Sequence, residues 1–242
     1  MLVNKPGSNG REKFILALDV SDTASAVQLA NMTKDYVGVF KIGLQLFLKE
    51  GKQIVREVAA FGNPIFLDLK LHDIPATVHN AILSLQDLPL AFLTVHTAGG
   101  KEMLTAARKA AEQFENPPVL LGVTVMTSID DKNAVGTGLQ GKISEVVMKR
   151  VKLIEEAGIE GVVTSGLEVK ELRRKFGSKL KYVIPGIRHF DDKQLDQKRT
   201  VTPALALQNG ADYLVVGRPV SLAEAPGAAA RKLLEEINYA LN

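Results

Sequence analysis

Asp68, Lys70 and Asp73 fall within six positions, directly after the apolar run Pro64-Ile65-Phe66-Leu67. That run reads as a buried strand. Alternate side chains on a strand share a face, so Asp68 and Lys70 point together, with Leu69 opposite. A carboxylate and an ammonium at the end of a buried strand are costly to desolvate unless each satisfies the other or a ligand. Two readings follow: a structural ion pair that closes the strand, or a positioned acid–base pair. Lys41, in a second apolar run, extends the set to a row of alternating sign: Lys41, Asp68, Lys70, Asp73. Neighbouring carboxylates favour the charged form of each lysine. A protonated, positioned lysine is a general acid and a carbanion stabiliser, not a Schiff-base nucleophile. The two aspartates would also suit Mg²⁺, which takes one or two carboxylates, but Lys70 already supplies positive charge between them.

Such residues need a frame, and the chain repeats one. Apolar runs at residues 14–20, 39–43, 65–69, 92–96, 119–125, 161–164, 182–184 and 213–216 read as short strands, apolar on both faces as buried parallel strands are. Helical stretches are expected at 23–36, 44–61, 76–88, 102–114, 143–157, 167–176, 204–209 and 226–241. Gly62 and Gly158 suit helix ends, and Pro75 suits a first helical turn. Residues 126–141 and 185–202 stay irregular, the second carrying Arg188, Gln197, Lys198 and Arg199. Eight strand-then-helix units predict a single (β/α)8 TIM barrel over residues 14–242, after a flexible lead-in at 1–13. No G-x-G-x-x-G follows the first strand, so a doubly wound dinucleotide fold has no positive support.

Composition removes several functions. The chain is 46% hydrophobic and 24% charged, an ordinary globular balance. It has no cysteine, which excludes disulfides, thiolate zinc sites and cysteine nucleophiles. No apolar run reaches the ~18 residues of a membrane span, and residues 1–13 lack the apolar core of a secretory signal. A cytoplasmic protein with no membrane partner is expected. The net charge of +3 and the pI near 9.0 are spread over lysine-rich helices. Without tryptophan or a basic run interleaved with aromatics, nucleic acid is not an expected partner. His72, His79, His96 and His189 show no metal-ligand spacing, and no metal is expected. His96 reads as a polar strand-end residue.

In such a barrel, active-site groups come from the C-terminal ends of the strands. Asp19 ends the first strand, Lys41 lies in the second, and Asp68 and Lys70 end the third. Thr127 follows the fifth, Pro185 and Arg188 the seventh, and Gly217 and Arg218 the eighth. Their convergence on one rim favours the functional reading of Asp68 and Lys70. Loops after strands seven and eight are the usual phosphate site of the fold, and a glycine there allows close backbone approach. Gly217-Arg218 therefore reads as a phosphate grip over which Arg188 and Gln197 can close. A solvated loop arginine is the alternative for Arg188. A non-catalytic barrel that binds a phosphorylated ligand is the alternative for the whole.

The most specific motif is Asp68-x-Lys70-x-x-Asp73-Ile74-x-x-Thr77. It is supported by Leu16-Ala17-Leu18-Asp19, Lys41-Ile42-Gly43, Met126-Thr127-Ser128, Pro185-Gly186-Ile187-Arg188, Thr202-Pro203 and Val216-Gly217-Arg218-Pro219. On these motifs the chain, from Phe14 onward, resembles the bacterial orotidine 5′-phosphate decarboxylases. The resemblance implies a cofactor-free, metal-free lyase that converts orotidine 5′-phosphate to uridine 5′-phosphate and carbon dioxide in pyrimidine nucleotide synthesis. It implies a homodimer with sites at the subunit interface. Lys70 would protonate C6 of the pyrimidine, with Asp68 facing the substrate carboxylate. Asp73 and Thr77 would reach each site from the partner subunit. Asp19 and Lys41 would bind ribose hydroxyls, and Thr127 the pyrimidine edge. Arg188, Gln197, Gly217 and Arg218 would hold the phosphate, with Pro185 on the same rim and Gln197 also reaching toward the base. The nearest rival is a sugar-phosphate decarboxylase or aldolase of the same barrel group, which shares Asp-x-Lys-x-x-Asp but uses Mg²⁺. The continuation through Ile74 and Thr77, and the long loop bearing Arg188 and Gln197, favour the nucleotide.

Overall fold

A strand with no polar face must be covered on both sides. In the computed structural model, which describes residues 9–188 and 200–241, the strands meet that demand by closing on themselves beneath a layer of helices. Helix α1 (Asn9–Lys13) leads into β1 (Phe14–Ala17), α2 (Thr23–Thr33), β2 (Val39–Gly43), α3 (Leu44–Glu50), α4 (Lys52–Ala59), β3 (Ile65–Leu71) and α5 (Pro75–Leu83). Then come β4 (Leu90–His96), α6 (Gly100–Ala111), β5 (Val119–Val123), α7 (Asp131–Ala134), α8 (Ile143–Glu156), β6 (Gly161–Val163) and α9 (Val169–Phe176). The chain finishes with β7 (Lys181–Ile184), α10 (Pro203–Gln208), β8 (Tyr213–Val216), α11 (Arg218–Ser221) and α12 (Pro226–Leu241). Strands pair in parallel in chain order, and β8 returns to β1 through Phe14↔Leu214 and Leu16↔Val216. This is the expected (β/α)8 barrel.

Period-two alternation sorts the side chains. Ile15, Val39, Phe66, Phe92, Leu121, Val183 and Val215 pack together as the interior of the barrel. Phe92 meets Phe66 and Tyr213 edge-on, with ring centroids 5.9 and 5.2 Å apart. The residues between them, such as Leu16, Phe40 and Leu67, join the larger apolar layer beneath the helices. Two residues further along an interior column the chemistry changes. Ile15 and Ala17 lead to Asp19, Val39 leads to Lys41, and Phe66 leads to Asp68. The alternation that buries the floor thus delivers charge to the C-terminal mouth.

Several elements differ from expectation. The helix expected over 44–61 is two helices, because Gly51 adopts φ +65° and its N–H caps α3 on the Phe47 carbonyl. The helix expected over 76–88 begins at Pro75 and ends at Leu83. Within 126–141, Asp130 accepts the Asn133 N–H and caps the short α7. A one-turn helix, α11, starts directly after Gly217. The lead-in is not loose throughout: residues 9–13 are helical. Gly10 is buried against α12, where an added Cβ would collide with the Asn238 side chain. Residues 1–8 lie outside the described residues.

Candidate active site

At the mouth, three strand ends bring charges of alternating sign into contact. Lys41 Nζ lies 3.2 Å from Asp19 Oδ1 and 3.6 Å from Asp68 Oδ2. Asp68 Oδ2 in turn lies 2.8 Å from Lys70 Nζ. The Lys41 and Asp68 side chains are only 10% and 12% exposed, so these charges answer mainly to one another. Burial pushes the Asp68 carboxyl up. The charges of Lys41 and Lys70, with hydrogen bonds from Lys70 and Thr94, outweigh it and hold the group below the ordinary carboxylate range. Gly43 makes room for the row: a Cβ there would sit 3.3 Å from Lys41 Nζ.

Strand alternation alone does not account for the contact of Lys70 with Asp68, because the strand is irregular there. Lys70 has φ +50° and, among the described residues, is the non-glycine residue in the left-handed region. Such a conformation costs about 1–3 kcal/mol and persists where its surroundings over-determine it. The β3–β4 register slips there, from Leu67↔Leu93 to Leu71↔Val95. Across the slip the Lys70 N–H donates to Thr94 Oγ1 at 2.9 Å, and that hydroxyl donates to Asp68 Oδ1 at 2.9 Å. Thr94 is fully buried. The sequence reading missed it. The available signal was a lone hydroxyl in an otherwise apolar strand, two residues before His96.

A cavity of about 340 Å³ opens above the row. Its lining includes Ala17, Phe66 and Val215 from the strands, the charged row Asp19, Lys41, Asp68 and Lys70, and the rim residues Thr127, Pro185, Arg188, Gly217 and Arg218. Nine of the expected site residues are thereby gathered around one space. The Arg188 segment is anchored by the bridge Ile187↔Val201 and by an Arg188 N–H bond to the Val201 carbonyl at 3.0 Å. Gln197 and His189 lie outside the described residues.

Asp73 and Thr77 do not line this cavity. Both are exposed, at the β3–α5 turn and the first turn of α5, and Asp73 Oδ1 accepts the Ile74 N–H at 2.6 Å. The row Lys41, Asp68, Lys70, Asp73 is therefore corrected for the single chain, where it runs Asp19, Lys41, Asp68, Lys70. The reason is local: the turn after Leu71 carries Asp73 away from the mouth. His96 is half-buried, its Nδ1 accepts the Ala98 N–H, and its ring stacks on His72 at 5.2 Å. Burial, with the charges of Arg150, His72 and Lys70, lowers the His96 pKa from 6.5 to about 4. His79 Nδ1 pairs with the Ala106 carbonyl. Among the described residues no three metal-ligating side chains gather, and no helix is long and apolar enough to cross a membrane.

A closed (β/α)8 barrel whose mouth holds ammonium–carboxylate pairs and two arginines around one cavity defines a class: a barrel with a charged site at the C-terminal ends of its strands. The chain matches the model of the orotidine 5′-phosphate decarboxylase / HUMPS family over residues 12–233, and it belongs to that family. The orotidine 5′-phosphate decarboxylase of Carboxydothermus hydrogenoformans is 43% identical over 235 residues, covering 96% of this chain and 98% of that protein. The one from Moorella thermoacetica is 42% identical over 235 residues, covering 95% and 93%. The crystal structure of orotidine 5′-phosphate decarboxylase from Lactobacillus acidophilus superposes with a TM-score of 0.82 at 34% identity, covering 93% of this chain and 98% of that one.

Proposed function

We propose that this enzyme decarboxylates orotidine 5′-phosphate to uridine 5′-phosphate without metal or cofactor, with Lys70 as the proton donor. The observation that carries the reading is the Lys70 ammonium, pinned 2.8 Å from Asp68 on the cavity wall. An ammonium has three donors. Among the described residues Asp68 takes one, which leaves donors available to a ligand. When the bond from C6 to the carboxylate breaks, its electron pair stays in the ring plane, where the π system cannot absorb it. A fixed cation beside that carbon stabilises the transition state more than the ground state. Lys70 then gives a proton to C6 and is reprotonated from solvent. Asp19 and Lys41 suit ribose hydroxyls, and Thr127 suits the pyrimidine edge. Arg188, Gly217 and Arg218, with Gln197 and Pro185, suit the phosphate end, whose binding energy offsets desolvation at the reacting carbon.

The exposed positions of Asp73 and Thr77 support a homodimer in which each chain lends them to the other's site. Ile74, between Asp73 and Pro75, is 66% exposed, an apolar side chain suited to such a contact. Equal mixing of Lys70→Ala and Asp73→Ala chains should then restore about a quarter of wild-type activity, since only one site of each mixed dimer is intact. No recovery would refute the shared site. The reaction itself is tested by the absorbance of orotidine 5′-phosphate after adding the purified protein with a chelator. Loss of the orotate chromophore supports the reading. No change, or activity only with added Mg²⁺, would refute it. A cytoplasmic location fits an enzyme of nucleotide synthesis.

A further inference from the structure

A threonine hydroxyl has one hydrogen to give and lone pairs to receive with. Backbone N–H groups only donate, so the 2.9 Å contact from Lys70 N fixes the Thr94 hydroxyl as acceptor there. Its own hydrogen is then directed at Asp68 Oδ1, also 2.9 Å away. Both bonds close inside the slip of the β3–β4 ladder, at the residue with φ +50°. The hydroxyl thus grips the catalytic segment twice, once at the backbone of Lys70 and once at the carboxylate that orients its ammonium. With Oδ1 occupied, Oδ2 is the oxygen that contacts both Lys41 and Lys70.

We propose that Thr94 is a positioning residue for the reaction: its hydroxyl locks the Asp68 carboxylate and the Lys70 backbone into the one arrangement that aims the Lys70 ammonium into the cavity. Thr94 is not among the cavity's lining residues and acts only through Asp68 and Lys70. The inference rests on the decarboxylase reading above. Threonine is also the economical choice for this place, because its β-branched body suits a buried strand while its hydroxyl serves the neighbouring one.

The test compares Thr94→Val, which keeps the shape and removes the hydroxyl, with Thr94→Ser, which keeps the hydroxyl and removes a methyl group. Steady-state kinetics on orotidine 5′-phosphate are read beside thermal melts. For folded Thr94→Val, kcat should fall by about 10- to 100-fold with KM within about threefold, because misplacing a reacting group costs rate rather than remote binding. Thr94→Ser should recover kcat to within about fivefold of wild type. Folded Thr94→Val with kcat within about threefold of wild type would overturn the proposal, as would a loss confined to KM or an equal fall in Thr94→Ser. If Thr94→Val does not fold, Thr94→Cys, with only a weak thiol donor, takes its place in the same comparison. Failure of both to fold would make the hydroxyl structural and overturn the proposal. A wild-type protein that leaves orotidine 5′-phosphate unchanged would instead strike the functional reading, so the two failures are separable.

Discussion

The barrel carries a charge network at each end, and the two differ in where their hydrogen-bond donors go. At the bottom, Arg173 meets Asp212 at 2.7 Å, gives further bonds to the Gly210 and Gly177 carbonyls, and lies 4.3 Å from the centre of the Tyr182 ring. Asp212 also takes the Tyr182 N–H at 2.8 Å. One cation faces one anion, and backbone groups take up the remainder. At the mouth, Asp68 stands between two lysines, and their ammonium groups face a cavity. A network that spends its donors on its own backbone fastens a fold. One that holds cations in place and leaves donors over open space is prepared for a ligand. This matches the division of labour in such barrels, with catalysis at the C-terminal face and stability at the other.

Substitutions should separate the two networks. The largest effect belongs to Lys70→Ala, which should lower kcat by about 10⁴-fold or more while circular dichroism and melting stay close to wild type. Activity within tenfold would break the contrast. Next is Arg218→Ala, for which kcat/KM on orotidine 5′-phosphate should fall by about 10²-fold, with a much smaller loss on the nucleoside lacking its phosphate. Equal losses on both substrates would remove Arg218 from the phosphate end. Arg173→Ala should act the opposite way, leaving kcat within about twofold in the folded enzyme but lowering unfolding free energy in urea by about 2 kcal/mol.

The smallest effect expected is a pH dependence of stability from His96. Its folded pKa, about 4, lies below the ordinary 6.5. Between these values the unfolded chain binds a proton that the folded chain refuses. Stability is therefore fully present above about pH 6.5 and declines as pH falls toward 4, by about 1–2 kcal/mol for a half-buried ring. Urea unfolding at pH 7.5 and pH 5 should show the decline, and His96→Gln should flatten it. Asp68 contributes in a different window. Its depressed pKa stabilises the fold above the ordinary carboxylate value, and that contribution is lost only as pH falls below it.

What the sequence made legible depended on how local the cause was. Eight apolar runs punctuated by Gly and Pro were enough for the barrel, because a strand buried on both faces has a distinctive composition. Asp19, Lys41 and Asp68 were legible as mouth residues because interior columns follow a period of two. The break at Gly51 and the packing of residues 9–13 on α12 were not, because a positive φ and a close approach belong to the folded chain. Lys70 was placed beside Asp68 for an incomplete reason: alternation would put it there, but the strand slips and the backbone turns left-handed. The lone hydroxyl of Thr94 marked the position but not its role, because its partners lie on another strand, 24 and 26 residues away in sequence. Asp73 and Thr77 could be named by resemblance, yet within one chain they are exposed and do not line the mouth.

The central claim is that the Lys70 ammonium sits where C6 becomes transiently negative and supplies its proton. Proton transfer at C6 is reversible in principle, so enzyme-bound uridine 5′-phosphate in D₂O should exchange its C6 hydrogen for deuterium, followed by the loss of the H6 proton resonance. The account predicts exchange with the wild-type protein and none above background with Lys70→Ala. Equal exchange by the two proteins would contradict it.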